Sequence, residues 1–139
     1  MQELITVRTR GPGLYPVTAQ AQDAAGRGGV REGLLTLFVQ HTSCSLLIQE
    51  NADPDVHRDL EAFFARLVPP ADAPAMGWIR HRAEGADDMP AHIKSALTAV
   101  SLGVPVRGGR LALGQWQGLY LFEHRHGAHE RCVVAHLSG

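Results

Sequence analysis

The sequence predicts an α+β fold, and three observations point there. Residues 54–67 and 90–100 carry apolar side chains at helical spacing. Several short runs rich in valine, isoleucine, leucine and threonine read as strands. The helices and strands do not alternate regularly, so a doubly wound parallel sheet is not expected. At 139 residues, 45% hydrophobic and 19% charged, the chain has the length and composition of one globular domain, residues 1–139.

Taken in order, residues 2–9 alternate loosely around Ile5, Thr6, Val7 and Thr9 and read as an edge-like strand that Gly11-Pro12-Gly13 breaks. Residues 16–26 form a weak helix candidate, ended by Gly26, Gly28 and Gly29. Leu34 to Gln40 is apolar on both parities, as in a strand covered on both faces, and 45–50 reads as its hairpin or sheet neighbour. The clearest helix is 54–67, with Asp53 as its cap, Pro54 in its first turn and a stripe of Val56, Leu60, Phe63, Phe64 and Leu67. Pro69-Pro70 ends it, and 70–77 is a loop rich in proline and alanine. The second helix, about 90–100, has Pro90 in its first turn and Ile93, Ala96, Leu97 and Val100 facing inward. Three strands follow near 103–107, 110–122 and 131–137, with turns at Gly108-Gly109 and around Gly127.

A net charge of −1 gives no general attraction to phosphate backbones or anionic lipid, so neither nucleic acid nor a membrane surface is an expected partner. Two cysteines, Cys44 and Cys132, are too few for a disulfide framework and fit a reducing compartment. The N-terminal residues lack a basic region followed by an apolar one, and no apolar run approaches the roughly 18 residues of a membrane span. A cytoplasmic location is expected.

Eight histidines are unusually many, and their placement carries more than their number. His41 ends an apolar strand and opens His41-Thr42-Ser43-Cys44-Ser45, where hydroxyls either orient an anion or metal ligand or satisfy a strand-end turn. His81 precedes an acidic loop that enters a helix, and His92 lies in that helix's first turn. Asp87 and Asp88 have a plain explanation as caps of that helix, whereas a cation in the first turn is unfavourable. A neutral His92 acting as a metal ligand fits better. His124, His126 and His129 fall at an expected hairpin tip, where side chains fan into solvent. Glu123 and Arg131 flank that tip, and the planar fork of an arginine there suits a phosphate. His57 reads as a surface residue, and Cys44 as a small packed residue rather than a nucleophile.

Taken together, His41-Thr42-Ser43, Glu50-Asn51-Ala52-Asp53-Pro54, Glu84 through Lys94, Ser101 through Gly114, Trp116-Gln117, Glu123 and Arg131 resemble the YjbQ family, also called UPF0047. The resemblance spans nearly the whole chain. Two positions depart from it: Gln115 stands where threonine usually precedes Trp-Gln, and Cys44 where alanine is common. It implies a β-sandwich of about seven strands with two to three helices, assembled as a homotrimer with the site near the subunit boundary. His41, His81 and His92 would then be metal ligands for Zn²⁺ or Mg²⁺, with Glu50, Asp87 and Glu123 as nearby catalytic carboxylates. Thr42, Ser43, Asn51, Lys94, Gln117 and Arg131 would contact the substrate or its anionic groups.

Some members of that family carry thiamine-phosphate synthase activity, in which a thiazole nitrogen attacks the methylene of a pyrimidine diphosphate and pyrophosphate leaves. Basic side chains and a divalent ion would neutralise the departing charge. Trp78 or Trp116 would supply a stacking wall or, more simply, core packing. Histidine ligands prefer Zn²⁺ to Mg²⁺, which favours oxygen. The expected function is therefore a small trimeric protein acting on a phosphorylated metabolite. A non-catalytic metal- or metabolite-binding trimer and a metal-dependent phosphoester hydrolase are the alternatives.

Overall fold

Period-two burial along most strands sorts the chain into two antiparallel sheets with an apolar layer between them. A computed structural model describes all 139 residues. In order the elements are β1 (Gln2–Arg10), β2 (Gly13–Pro16), α1 (Thr18–Arg27), β3 (Glu32–Val39), β4 (Cys44–Glu50) and α2 (Pro54–Leu67). A 3-10 turn at Pro74–Met76 precedes α3 (Asp88–Leu97), β5 (Ser101–Arg107), β6 (Arg110–Leu111), β7 (Gln117–Glu123) and β8 (Ala128–Ser138). One sheet has the order β1-β8-β3-β5-β6, the other β2-β7-β4. The expected α+β sandwich is therefore present, with three helices and eight strands.

Inward-facing residues of the larger sheet, among them Ile5, Leu35, Leu37, Val104, Val133 and Leu137, meet Cys44, Leu46, Leu119 and Leu121 of the smaller one. Burying each of the larger aliphatic side chains contributes roughly 1.5–3 kcal/mol relative to exposure. Ala21, Ala24 and Ala25 bring α1 against the same core. Gly28 allows that approach, because a Cβ there would lie 2.1 Å from Leu137 Cδ2. No helix is long and apolar enough to cross a membrane.

Three connections cross between the sheets at one end of the sandwich: β1 to β2 at 11–12, β3 to β4 at 40–43, and β7 to β8 at 124–127. This corrects two expectations. Residues 45–50 are not a hairpin partner of the 34–40 strand, since β3 pairs with β5 and β8 whereas β4 pairs with β7. Nor is 124–129 a hairpin tip, because β7 and β8 lie in different sheets. A crossing turn runs through the interior edge, so His124 is buried at 3% exposure instead of fanning into solvent.

The expected strand 110–122 is also two strands. β6 pairs with β5, and β7 joins the other sheet after a turn closed by Gln117 N–H to the Gly114 carbonyl (3.1 Å) and Gly114 N–H to Gln117 Oε1 (2.8 Å). On α2 the apolar stripe exists but is poorly covered, and Phe63 and Leu67 stand more than half exposed. On α3 the inward face is Asp88, Ala91 and Ser95, while Leu97 and Val100 are exposed. Small residues are needed there because α3 approaches β4 closely enough for Ser95 Oγ to donate to the Cys44 carbonyl at 2.9 Å. Ile93 and Met89 instead pack on a satellite cluster of Val68, Ala71, Met76 and Ile79. Trp78 and Trp116 are both exposed, so neither serves as core.

Candidate functional site

Where the sheets cross, the chain buries charge. Glu123 is fully buried and receives Arg131 Nε (2.7 Å) and Nη2 (2.5 Å), the Thr9 hydroxyl (2.7 Å), and the backbone N–H groups of His124 and Arg125 (3.1 Å each). Burial pushes its carboxyl up, but Arg131 and Thr9 outweigh this and hold it below the usual range. Arg131 also donates to Ser43 Oγ at 3.0 Å. His41 Nε2 accepts the Cys132 N–H at 2.9 Å, so the lone pair of its neutral ring is already used. Burial and the neighbouring Arg131 both lower the pKa of His41. On the other side of the crossing, His124 Nε2 lies 2.9 Å from Ser45 Oγ, and burial pushes its imidazole down to about 3.

A second cluster sits at the start of α3. The ligand atoms of His81, Glu84, Asp88 and His92 lie within 4.8 Å of one another. Asp88 and His92 share one helix face by their i, i+4 spacing. His81 Nε2 is 2.7 Å and His92 Nε2 3.1 Å from the same oxygen, Asp88 Oδ2, and His81 Nε2 is 3.3 Å from Glu84 Oε2. His92 Nδ1 lies 2.8 Å from the Thr42 carbonyl. A carbonyl only accepts, which assigns the proton of a neutral ring to Nδ1 and leaves Nε2 with a lone pair. Asp88 is 2% exposed. Burial raises its pKa, but hydrogen bonds from its neighbours, His81 foremost, and the nearby Arg125 bring it below the ordinary value. The same contact with Asp88 raises that of His81.

Arg125 joins the two clusters. Its Nε donates to Asp87 Oδ2 and its Nη1 to Asp88 Oδ1, each at 2.8 Å, and the His126 N–H reaches Asp87 Oδ2 at 2.9 Å. Neither aspartate caps α3, since Asp87 makes no side-chain cap bond and Asp88 faces the histidines. The helix start is thus tied by side chains to the sheet-crossing segments.

A family model described as UPF0047 protein YjbQ-like matches residues 3–139. A UPF0047 protein of Synechocystis sp. is 51% identical over 138 residues, covering 99% of this chain and 91% of its own length. The chain belongs to the YjbQ family. The YjbQ protein of Salmonella typhimurium is 45% identical over 139 residues, covering 99% of this chain and 97% of its own. An uncharacterized conserved protein of the YjbQ/UPF0047 family from Clostridium acetobutylicum has a crystal structure similar to this one. Its TM-score is 0.87 at 28% identity, with 98% of this chain and 99% of that one covered.

The residues that the YjbQ resemblance implies fall in four places in the structure. His81 and His92 come together, but with Asp88 and Glu84 rather than with His41, which faces Arg131 and the Cys132 N–H. Glu123, Arg131 and Ser43 form the buried network, while Thr42 contributes its carbonyl to His92. Asp87 lies between the two, on Arg125. Glu50, Asn51 and Gln117 gather at the other end of the smaller sheet, about 20 Å along β4 from Cys44 at 3.3–3.4 Å per residue. There Glu50 Oε2 accepts the N–H groups of Ala52 (2.6 Å) and Asp53 (2.7 Å), and Asn51 Nδ2 donates to the Gln115 carbonyl at 3.1 Å. Lys94 faces a cleft beside α2. Sequence reasoning missed Asp88, Glu84, Arg125 and the buried His124. The i, i+4 pair Asp88 and His92 was a readable signal, hidden by the capping explanation. His57 is half-buried rather than superficial, with Nε2 donating to the Glu50 carbonyl at 2.6 Å and its ring edge-on to Tyr120 at 4.7 Å.

Proposed function

We propose that the chain holds a divalent transition-metal ion between His81, Asp88 and His92, with Glu84 beside them, and acts on a phosphorylated metabolite. One observation carries this reading. The ligand atoms of His81, Glu84, Asp88 and His92 converge within 4.8 Å, with the His92 ring held by the Thr42 carbonyl so that Nε2 faces Asp88 Oδ2 at 3.1 Å, a contact that a proton on Nε2 or a metal ion would satisfy. Two imidazoles and two carboxylates suit Zn²⁺ or a similar ion better than Mg²⁺. Such an ion would supply Lewis-acid stabilisation of charge on a leaving phosphate. His81, Asp88 and His92 would hold it, the Thr42 carbonyl would fix the ring of His92, and Arg125 would keep both aspartates ionised.

The reaction proposed is thiamine-phosphate formation, in which a carbon–nitrogen bond forms as pyrophosphate departs. Its assay supplies both substrates and the metal to purified protein. Product that disappears in Asp88→Ala supports the reading, and absence of product with metal bound refutes the synthase activity. Metal content is read separately, by calorimetry and elemental analysis, with about one Zn²⁺ per chain expected and at least a tenfold loss of affinity in Asp88→Ala. A second reading, a metal-holding trimer without turnover, is favoured by the way these donors staple the irregular 68–87 segment to α3.

The trimer belongs to the same proposal. Leu4, Leu34 and Phe38 stand exposed together on the outer face of the larger sheet, which no helix covers. Another copy would also bring a Glu50, Asn51 and Gln117 group to a site at the subunit boundary. A reducing, cytoplasmic location is proposed from the two free cysteines.

A further inference from the structure

Between α2 and α3, beside Phe122, the chain leaves a cleft of about 460 Å³ that the four donors at His81, Glu84, Asp88 and His92 do not line. Phe64 and Phe122 form an aromatic wall, edge to face at 5.3 Å, and Phe122 meets His124 at 4.4 Å. Small-molecule sites have this character, roughly 300–1,000 Å³ of mostly apolar lining with a few placed polar groups.

The charged groups around the cleft are not equivalent. Asp87 is held by Arg125 and Glu123 by Arg131, so neither is free for a ligand. Lys94 reaches the cleft from α3 and pairs with no carboxylate. A half-buried ammonium without a counter-ion is costly, and an oxyanion would remove the cost. Glu61 and Asp72, on the α2 side of the same cleft, would repel a second anionic group.

We propose that this cleft binds a small aromatic oxyanion, with its anionic group on Lys94 and its ring against Phe64 and Phe122. The oxyanion is a phosphate monoester or a carboxylate. The phosphate case deepens the phosphorylated-ligand reading above and to that extent rests on it, but binding here requires no metal.

The test titrates the full chain in chelator with phenyl phosphate and with benzoate, using benzyl alcohol as the neutral control and amide chemical shifts as readout. At least one oxyanion is expected to shift amides around Phe64, Ala86, Phe122 and His124, and the arm that binds more tightly identifies its chemical class. Lys94→Gln is expected to weaken that binding about tenfold or more while leaving benzyl alcohol unaffected, and Lys94→Arg to retain it within about threefold. Silence from both oxyanions overturns the proposal, as do shifts confined to His81 and His92 or undiminished binding by Lys94→Gln. Silence that lifts on dilution would mean another copy of the chain fills the cleft, and also overturns it. Loss of Zn²⁺ binding with oxyanion binding intact would sink the metal reading and leave this one standing.

Discussion

Burying Glu123 and Arg131 costs several kcal/mol of hydration for each ion, and the sheet-crossing seam offsets it by satisfying both. Glu123 accepts from two side chains and two backbone N–H groups, while Arg131 also serves Ser43. Glu123→Gln leaves the guanidinium buried without a counter-charge and is expected to cost about 3–5 kcal/mol in urea unfolding. His124 gives a pH dependence whose sign follows from burial. Its folded pKa is about 3 against an ordinary 6.5, so between those values the unfolded chain binds the extra proton. Stability from this residue is complete above about pH 6.5 and falls as pH drops toward 3, by up to about 1.4 kcal/mol per pH unit. Urea midpoints between pH 7 and pH 4 should fall less steeply in His124→Gln than in the parent. An equal slope in both would show that His124 is not buried neutral. Cys44 is fully buried, and its thiol is pushed up to about 12, so a thiol reagent at pH 8 should leave it unmodified until the chain unfolds.

Among the helices, α2 is set apart by having no fully buried residue. Its start is fixed by Asp53, which accepts the Asp55 N–H at 2.9 Å. Asp53→Ala is expected to cost about 1 kcal/mol, read as roughly fivefold faster amide exchange along α2 with β3 and β8 unchanged. Equal acceleration in the strands would mean that α2 opens only with the whole molecule. α3 has the opposite character. Its apolar residues are few on the inward side, but Asp87, Asp88 and His92 bind it to the two crossings that flank it.

For the whole molecule, the outer face of the five-stranded sheet is the feature that one chain leaves unfinished. Leu34 at 42% and Phe38 at 48% exposure lie two turns of the pleat apart on β3, with Leu4 on β1 also open. Leu34→Glu with Phe38→Glu should leave the core intact and yield a monomer in light scattering, where the parent is expected to give three chain masses. A parent that is itself monomeric at micromolar concentration would end the trimer proposal.

The sequence by itself determined the fold class, the family and the 54–67 helix with its Asp53 cap, and of the three histidines it expected in one site the structure brings together His81 and His92 but not His41. The helix rests on local periodicity and capping, and the family on the resemblance of an ordered set of motifs, all of which a chain carries in one dimension. Tertiary structure decided which sheet each strand joins, and that choice has no local signature. The runs 34–40 and 45–50 look alike as neighbours or as strands of opposite sheets. Once the sheets cross at 40–43 and 124–127, the consequences follow from burial. His124 becomes interior, Glu123 and Arg131 become a satisfied pair, His41 is taken by a backbone N–H, and Asp88 turns from a cap into the carboxylate between two histidines.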